Sequence, residues 1–273
     1  MIYSPVLPVG GYAGWTFLNR TMAKQTAAFV KSPEIKRDED YFRVNIAKVT
    51  TAEQLVKDRR LLKVALGAFG LDADINNKAF IQKVLQDGTL KVGALSNKLA
   101  NKQYQKFSAA FGFGDFSTPR TQLSDFADKT LALYRARSFE SAVGESNGDY
   151  RLALNAEREL SGLAAKAAGE NTKWYTILGN TPMRTVMQTA LGLPSSIASM
   201  DIDRQLAVFK DRAESVFGSD TVSQFASSDK MEKLVKTYLL RSEIAGYDAQ
   251  SVRSNAVMMM LSQSVSLARN RTF

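Results

Sequence analysis

The chain has 273 residues, 45% of them hydrophobic and 23% charged, so it is long enough to bury a sizeable core and lies far from the composition of a disordered chain. Lys and Arg number 36 against 27 Asp and Glu, a net charge of +9 that admits nucleic acid, an anionic membrane or an acidic protein as partner without selecting one. Cys and His are both absent, which excludes disulfides, thiolate nucleophiles, Cys/His zinc sites and imidazole bases and leaves carboxylates, Lys, Tyr or a bound cofactor for any enzymatic chemistry.

The first charge is Arg20, but Pro5, Pro8, Gly10, Gly11 and Gly14 interrupt the uncharged lead-in, and no basic residue precedes it. A Sec-type signal peptide is therefore not expected. Helical periodicity then runs through almost every segment, and the chain reads as all-α. A first helix is expected from about Trp15 to Val30 and a second from Pro33, carrying Tyr41, Phe42, Val44 and Ile46. Thr50 with Glu53 has capping-box spacing and predicts the start of a third helix that grows more apolar from Leu55. In "LLKVALGAFGL", residues 61–71, only Lys63 is charged, so this helix needs cover nearly all round and is predicted to be a central pillar. Gly67 would admit a neighbouring backbone, and Gly70 suits the left-handed position that ends a helix.

Further helices are expected at Asn77–Gln86 and Ser96–Phe111, and a long one opened by Thr118-Pro119 with Leu123, Phe126, Ala127, Leu131 and Tyr134 on one face. "GESNGD" at 144–149 is the strongest break; an Ala-rich helix follows from about Tyr150 to Ala168, then a loop at "GENTK". Val64, Ala68, Gly70 and Leu71 match Val186, Ala190, Gly192 and Leu193 at one constant offset. This predicts two related helical lobes, residues 1–147 and 148–273, from a degenerate internal duplication, either distinct or fused into one continuous domain. The alternative is that two amphipathic helices ending in Gly simply look alike. A last helix is expected from about Asp248 to Leu267. Residues 254–268 within it are uncharged but interrupted by Ser, Asn and Gln and shorter than the ~20 residues that span a bilayer, so no membrane span is expected.

Sequence signatures of catalysis fail on inspection. "DADINNKAFIQK" begins like a calcium loop, but Asn77 stands where Gly is needed and Lys83 where a bidentate Glu is needed, and an Asp/Asn helix cap is the better reading. Ser227 and Lys230 have S-x-x-K spacing without the companion motifs of serine acyl-transfer enzymes. No phosphate-binding glycine motif occurs, and Glu157 and Glu159 are two apart on a helix, so they face apart. "KWY" at 173–175 is the one short basic-aromatic run, and core packing explains it more simply than single-stranded nucleic acid. No catalytic residue, metal site or cofactor is predicted.

The segments "GGYAGWTFLNRT", "SPEIKRDEDYF", "TAEQLVKDRRLLKVALGAFGLDADINNKAFIQKVLQDG" and "KWYTILGNTPMRTVMQTALGLP" resemble an alphaproteobacterial helical domain family, and the resemblance covers nearly the whole chain. Genes of that family commonly lie among flagellar genes, so the resemblance implies a flagellar context, with a cytoplasmic location or flagellar type III export. The expectation is a non-enzymatic assembly or interaction protein whose partner is a flagellar component or a second copy. Tyr12, Trp15, Phe17, Met258, Met259, Met260 and Leu261 are the partner-contact candidates. The rival expectation is a basic helical regulator that binds nucleic acid. The scattered basic residues have acidic neighbours nearly everywhere and form no phosphate-tracking stripe.

Overall fold

A computed structural model describes residues 3–246. Those residues are all-α. Twelve helices run in order: α1 Gly11–Val30, α2 Pro33–Asn45, α3 Ala52–Lys57, α4 Arg59–Phe69, α5 Lys78–Asp87, α6 Leu95–Lys98, α7 Gln103–Phe111, α8 Phe126–Ser146, α9 Gly148–Ala164, α10 Glu170–Leu178, α11 Thr181–Leu191 and α12 Ile202–Phe217. A thirteenth, α13, covers residues 228–246. Among the described residues, no helix is long and apolar enough to cross a membrane.

The pillar is where the sequence puts it. In α4 only Arg59, Arg60 and Lys63 escape burial, while Leu61, Leu62, Val64, Ala65 and Leu66 are enclosed by α2, α3 and α8. Each fully buried Leu or Val of this kind contributes roughly 1.5–3 kcal/mol of transfer free energy. Lys63 escapes by ion pairing with Glu34 at 3.1 Å and Asp38 at 2.8 Å on α2. Gly67 admits the ring of Tyr134 from α8, a side chain where the sequence suggested a backbone. α8 carries the packing onward to α9, and α9 packs on α11. One hydrophobic cluster runs without interruption from Trp15 to Leu239.

Helix ends account for the differences from the sequence reading. The capping box is built on Thr51 and Gln54, one residue later than expected: Gln54 N–H donates to Thr51 Oγ1 at 3.2 Å and the Gln54 side chain returns to the Thr51 N–H. The expected single helix breaks at Asp58. Its carboxylate accepts from Arg60 N at 2.9 Å and Leu61 N at 3.0 Å and from the Tyr41 hydroxyl at 2.7 Å, so it starts α4 afresh. The expected Ser96–Phe111 helix is two, α6 and α7, separated by an extended Leu99. Pro119 opens only a short 3-10 turn, Arg120–Gln122, anchored by Thr121 Oγ1 donating to Val49 O at 2.7 Å. α8 proper begins at Phe126, which leaves Leu123 exposed. "GENTK" is helical, forming the start of α10.

α4 and α11 end alike. Gly70 has φ 69° and ψ 36°, and Gly192 has φ 66° and ψ 35°, a conformation that costs a residue with a Cβ roughly 1–2 kcal/mol. Each glycine also lies under a guanidinium from a distant helix, Arg137 over Gly70 and Arg241 over Gly192. Arg241 Nη1 donates to Ala190 O at 2.8 Å, satisfying a carbonyl that the helix leaves open.

Candidate functional site

Two of the regions that gather polar groups around cavities depend on α9. Glu157 and Glu159 lie two residues apart on this helix, and the structure sends them to different places, as their spacing requires.

The first region lies where α1 meets α13. Tyr12 and Trp15 lie one turn apart on α1 and line a cavity of about 650 Å³ together with Glu157 of α9, Phe225, Met231 and Glu232. Trp15 is buried, its indole 5.9 Å from the Tyr150 ring. As a partner-contact candidate it is therefore corrected to a core residue, because the apolar phase of α1 turns it inward with Leu18. Tyr12 is half-buried: its hydroxyl donates to Glu232 at 3.0 Å, and Lys236 Nζ stands 5.2 Å from its ring centroid. Burial, then the Glu232 carboxylate, raises the Tyr12 pKa above its usual range. Phe17 is half-buried with Arg20 over its ring at 5.9 Å, and it does not line this cavity. Met258, Met259, Met260 and Leu261 lie outside the described residues. Glu157 has no hydrogen-bond or ion-pair partner for its carboxyl among the described residues, and burial pushes its pKa up to about 7. A carboxylic acid raised this far by burial half-ionises near neutrality.

The second region is a cleft lined mainly by residues of α7 to α11, where two cavities of about 730 and 510 Å³ meet at Ala100, Gln103, Gly179 and Asn180. Glu159 anchors its wall. Lys106 Nζ donates to it at 2.7 Å and Arg137 Nη2 at 2.9 Å, and Arg158 Nη1 shares the same carboxylate. Arg158 Nε also donates to Glu140 at 2.7 Å. Burial pushes Glu159 upward, but the three cations together outweigh it and hold the carboxyl at about 2. Arg137 goes the other way, its pKa lowered first by burial and then by Arg158. Its Nε is buried without an acceptor among the described residues, as is Asn155 Oδ1 without a donor.

Other residues that the sequence singles out resolve into structure. Lys230 donates to the Phe217 carbonyl at the end of α12, so it is not poised against Ser227. Trp174 is fully buried, its indole N–H on Asp220 O at 2.8 Å, which fits the core reading of "KWY". Lys173 beside it is also buried, with Nζ donating to Ala164 O at 3.0 Å and Glu170 at 3.1 Å. Glu170 accepts from Val222 N at 2.6 Å and Ser223 N at 3.2 Å. Burial raises the Glu170 pKa, but Ser223, Lys173 and these backbone donors bring it down to about 2. No sequence motif marks Glu170 or Glu159, because apart from their near neighbours Lys173 and Arg158 their partners lie tens of residues away. From Asp72 the chain forms a 3-10 turn, Asp72–Asp74, and Asn77, just before α5, donates its side-chain amide to Asp74 and makes no side-chain cap for the helix.

A family model described as "Protein of unknown function (DUF1217)" matches residues 68–231. The fold is similar to that of a protein from Agrobacterium tumefaciens whose crystal structure came from a structural genomics consortium, with a TM-score of 0.71 and 22% identity over 89% of this chain and 99% of that one. No curated protein matches the sequence. The chain belongs to the DUF1217 family.

Proposed function

We propose that this DUF1217-family protein is a non-enzymatic helical component that acts by contact with another protein, in the flagellar setting that its sequence resemblance implies. The observation that carries the contact is the seam between α1 and α13. Tyr12 stands half-exposed at the mouth of the 650 Å³ cavity, tied to Glu232 and under Lys236. Along α13, Leu240 and Ile244 present exposed apolar side chains one turn apart. An amphipathic aromatic beside exposed aliphatic groups is the composition that protein interfaces favour. The same reading takes the two halves as products of a degenerate duplication, which the matching ends of α4 and α11, each with a left-handed Gly under an Arg, support.

The test is a pull-down from motile cells with the full chain and with a Leu240→Asp/Ile244→Asp variant, combined with assay of flagellar export fractions. Both positions are exposed, so the variant should fold with stability near that of the parent. The expected result is a flagellar component recovered by the parent and lost with the variant. Normal swimming after deletion, with no flagellar component recovered, refutes the proposal.

A further inference from the structure

The two arms of the cleft differ in charge. In the larger arm Arg137 and Arg151 are offset by Asp72, Glu140 and Asp149. Among the described residues that line the 510 Å³ arm, Lys102, Lys106, Arg158 and Lys166 stand with one acidic side chain, Glu159. That carboxylate is only 9% exposed and is already divided among Lys106, Arg158 and Arg137. Glu140 also engages Arg158 but pairs with none of the three lysines. The four cations of this arm outnumber the two carboxylates, Glu159 and Glu140, that engage any of them. Leu163 and Met183 add an apolar wall to the same arm. A cavity of this volume falls in the range of small-molecule sites, which combine apolar lining with a few placed charges.

We propose that this arm binds a small organic polyanion, a molecule carrying two or more carboxylate or phosphate groups on a compact skeleton. Arg158, fixed by two carboxylates, offers a rigid guanidinium, and Lys106, its ammonium on the same Glu159 carboxylate, adds a second cation; together they form one pole for an anionic group. Lys102 and Lys166 form the second pole on the rim. Glu159 keeps the cations assembled when no ligand is present. The larger arm, where three carboxylates outnumber two guanidinium groups, has no such preference.

The experiment is calorimetric titration and thermal unfolding of the full chain with citrate and with pyrophosphate, at low and at moderate salt, with free arginine as a cationic control. The expected result is saturable binding of at least one polyanion, weakened by salt, with a rise in Tm of ~2–4 °C at saturating probe. Lys106→Gln/Lys166→Gln should weaken binding at least tenfold. Lys24→Gln/Lys36→Gln removes the same charge from exposed positions that line neither arm and should leave binding unchanged. Preference for citrate assigns carboxylate chemistry to the site and preference for pyrophosphate assigns phosphate. If the double variant at the cleft does not fold, Lys166→Gln alone, at an exposed rim position, gives the readout. Absence of saturable binding by both probes, or equal weakening in the two variant pairs, overturns the proposal.

Discussion

Replacing Glu159 by Gln removes a carboxylate while preserving its volume, and it leaves Arg137 and Arg158, 13% and 23% exposed, without the acceptor they share. The fall of the Glu159 carboxyl from its ordinary 4.5 to about 2 corresponds to roughly 3 kcal/mol of folding stability at neutral pH, at about 1.4 kcal/mol per tenfold change in acidity. That agrees with the 3–5 kcal/mol typical of breaking a buried ion pair from one side. The sign follows from linkage. A depressed carboxyl contributes its full stabilisation above the unfolded-state value and loses it as pH falls toward the folded-state value. The gap between parent and Glu159→Gln should therefore be about 3 kcal/mol near pH 7 and narrow by about 1.4 kcal/mol near pH 3.5. Urea unfolding followed by far-ultraviolet circular dichroism at the two pH values measures both numbers, and comparing the two proteins at each pH cancels the other carboxylates. A gap below 1 kcal/mol near neutrality, or one that does not change with pH, would refute the assignment of Glu159 as the shared acceptor of the cluster.

Glu157 should behave oppositely. Its folded-state pKa is raised to about 7 by burial, so its contribution is intact below the unfolded-state value and is lost as pH rises toward 7. Glu157→Gln is expected to match the parent near pH 4 and to exceed its stability near pH 8 by about 1–2 kcal/mol, after discounting for partial exposure; equal stability of the two at the higher pH counts against a desolvated carboxyl. Gly70→Ala and Gly192→Ala should each destabilise by about 2 kcal/mol or more, because a Cβ meets both the left-handed backbone penalty and an overlying guanidinium. Pairing Gly70→Ala with Arg137→Ala, and Gly192→Ala with Arg241→Ala, in double-mutant cycles should give non-additive losses, whereas additive ones would mean that the arginines do not crowd the glycines.

Much of the architecture was legible in residue order. The 3.6-residue period of apolar side chains gave helices throughout, and the near-continuous apolar surface of Leu61–Phe69 required a helix surrounded by others. The glycines after α4 and α11 announced left-handed ends, since few other residues adopt that conformation without strain. Local signals misled where two solutions compete within a few residues. Thr50 and Thr51 are both able to cap, and Asp58 could have remained on the surface of one long helix; the Tyr41 hydroxyl, 17 residues away, helps hold it at the start of a new one. "GENTK" has loop composition, but the carboxylate of Glu170 takes up the backbone donors of Val222 and Ser223 while the segment coils into α10.

What the sequence alone determined, then, is helical content, the central pillar, the glycine-ended helices and the lack of Cys and His chemistry, because these depend on periods and residue types confined to one turn or one helix. Which carboxylate is paired and which is left alone, whether Trp15 faces inward, and the charge imbalance of the cleft were decided only by the tertiary structure. Those properties come from groups such as Lys106, Arg137 and Glu159 that lie far apart along the chain, and electrostatic and desolvation energies depend on distance through space, to which sequence separation is no guide.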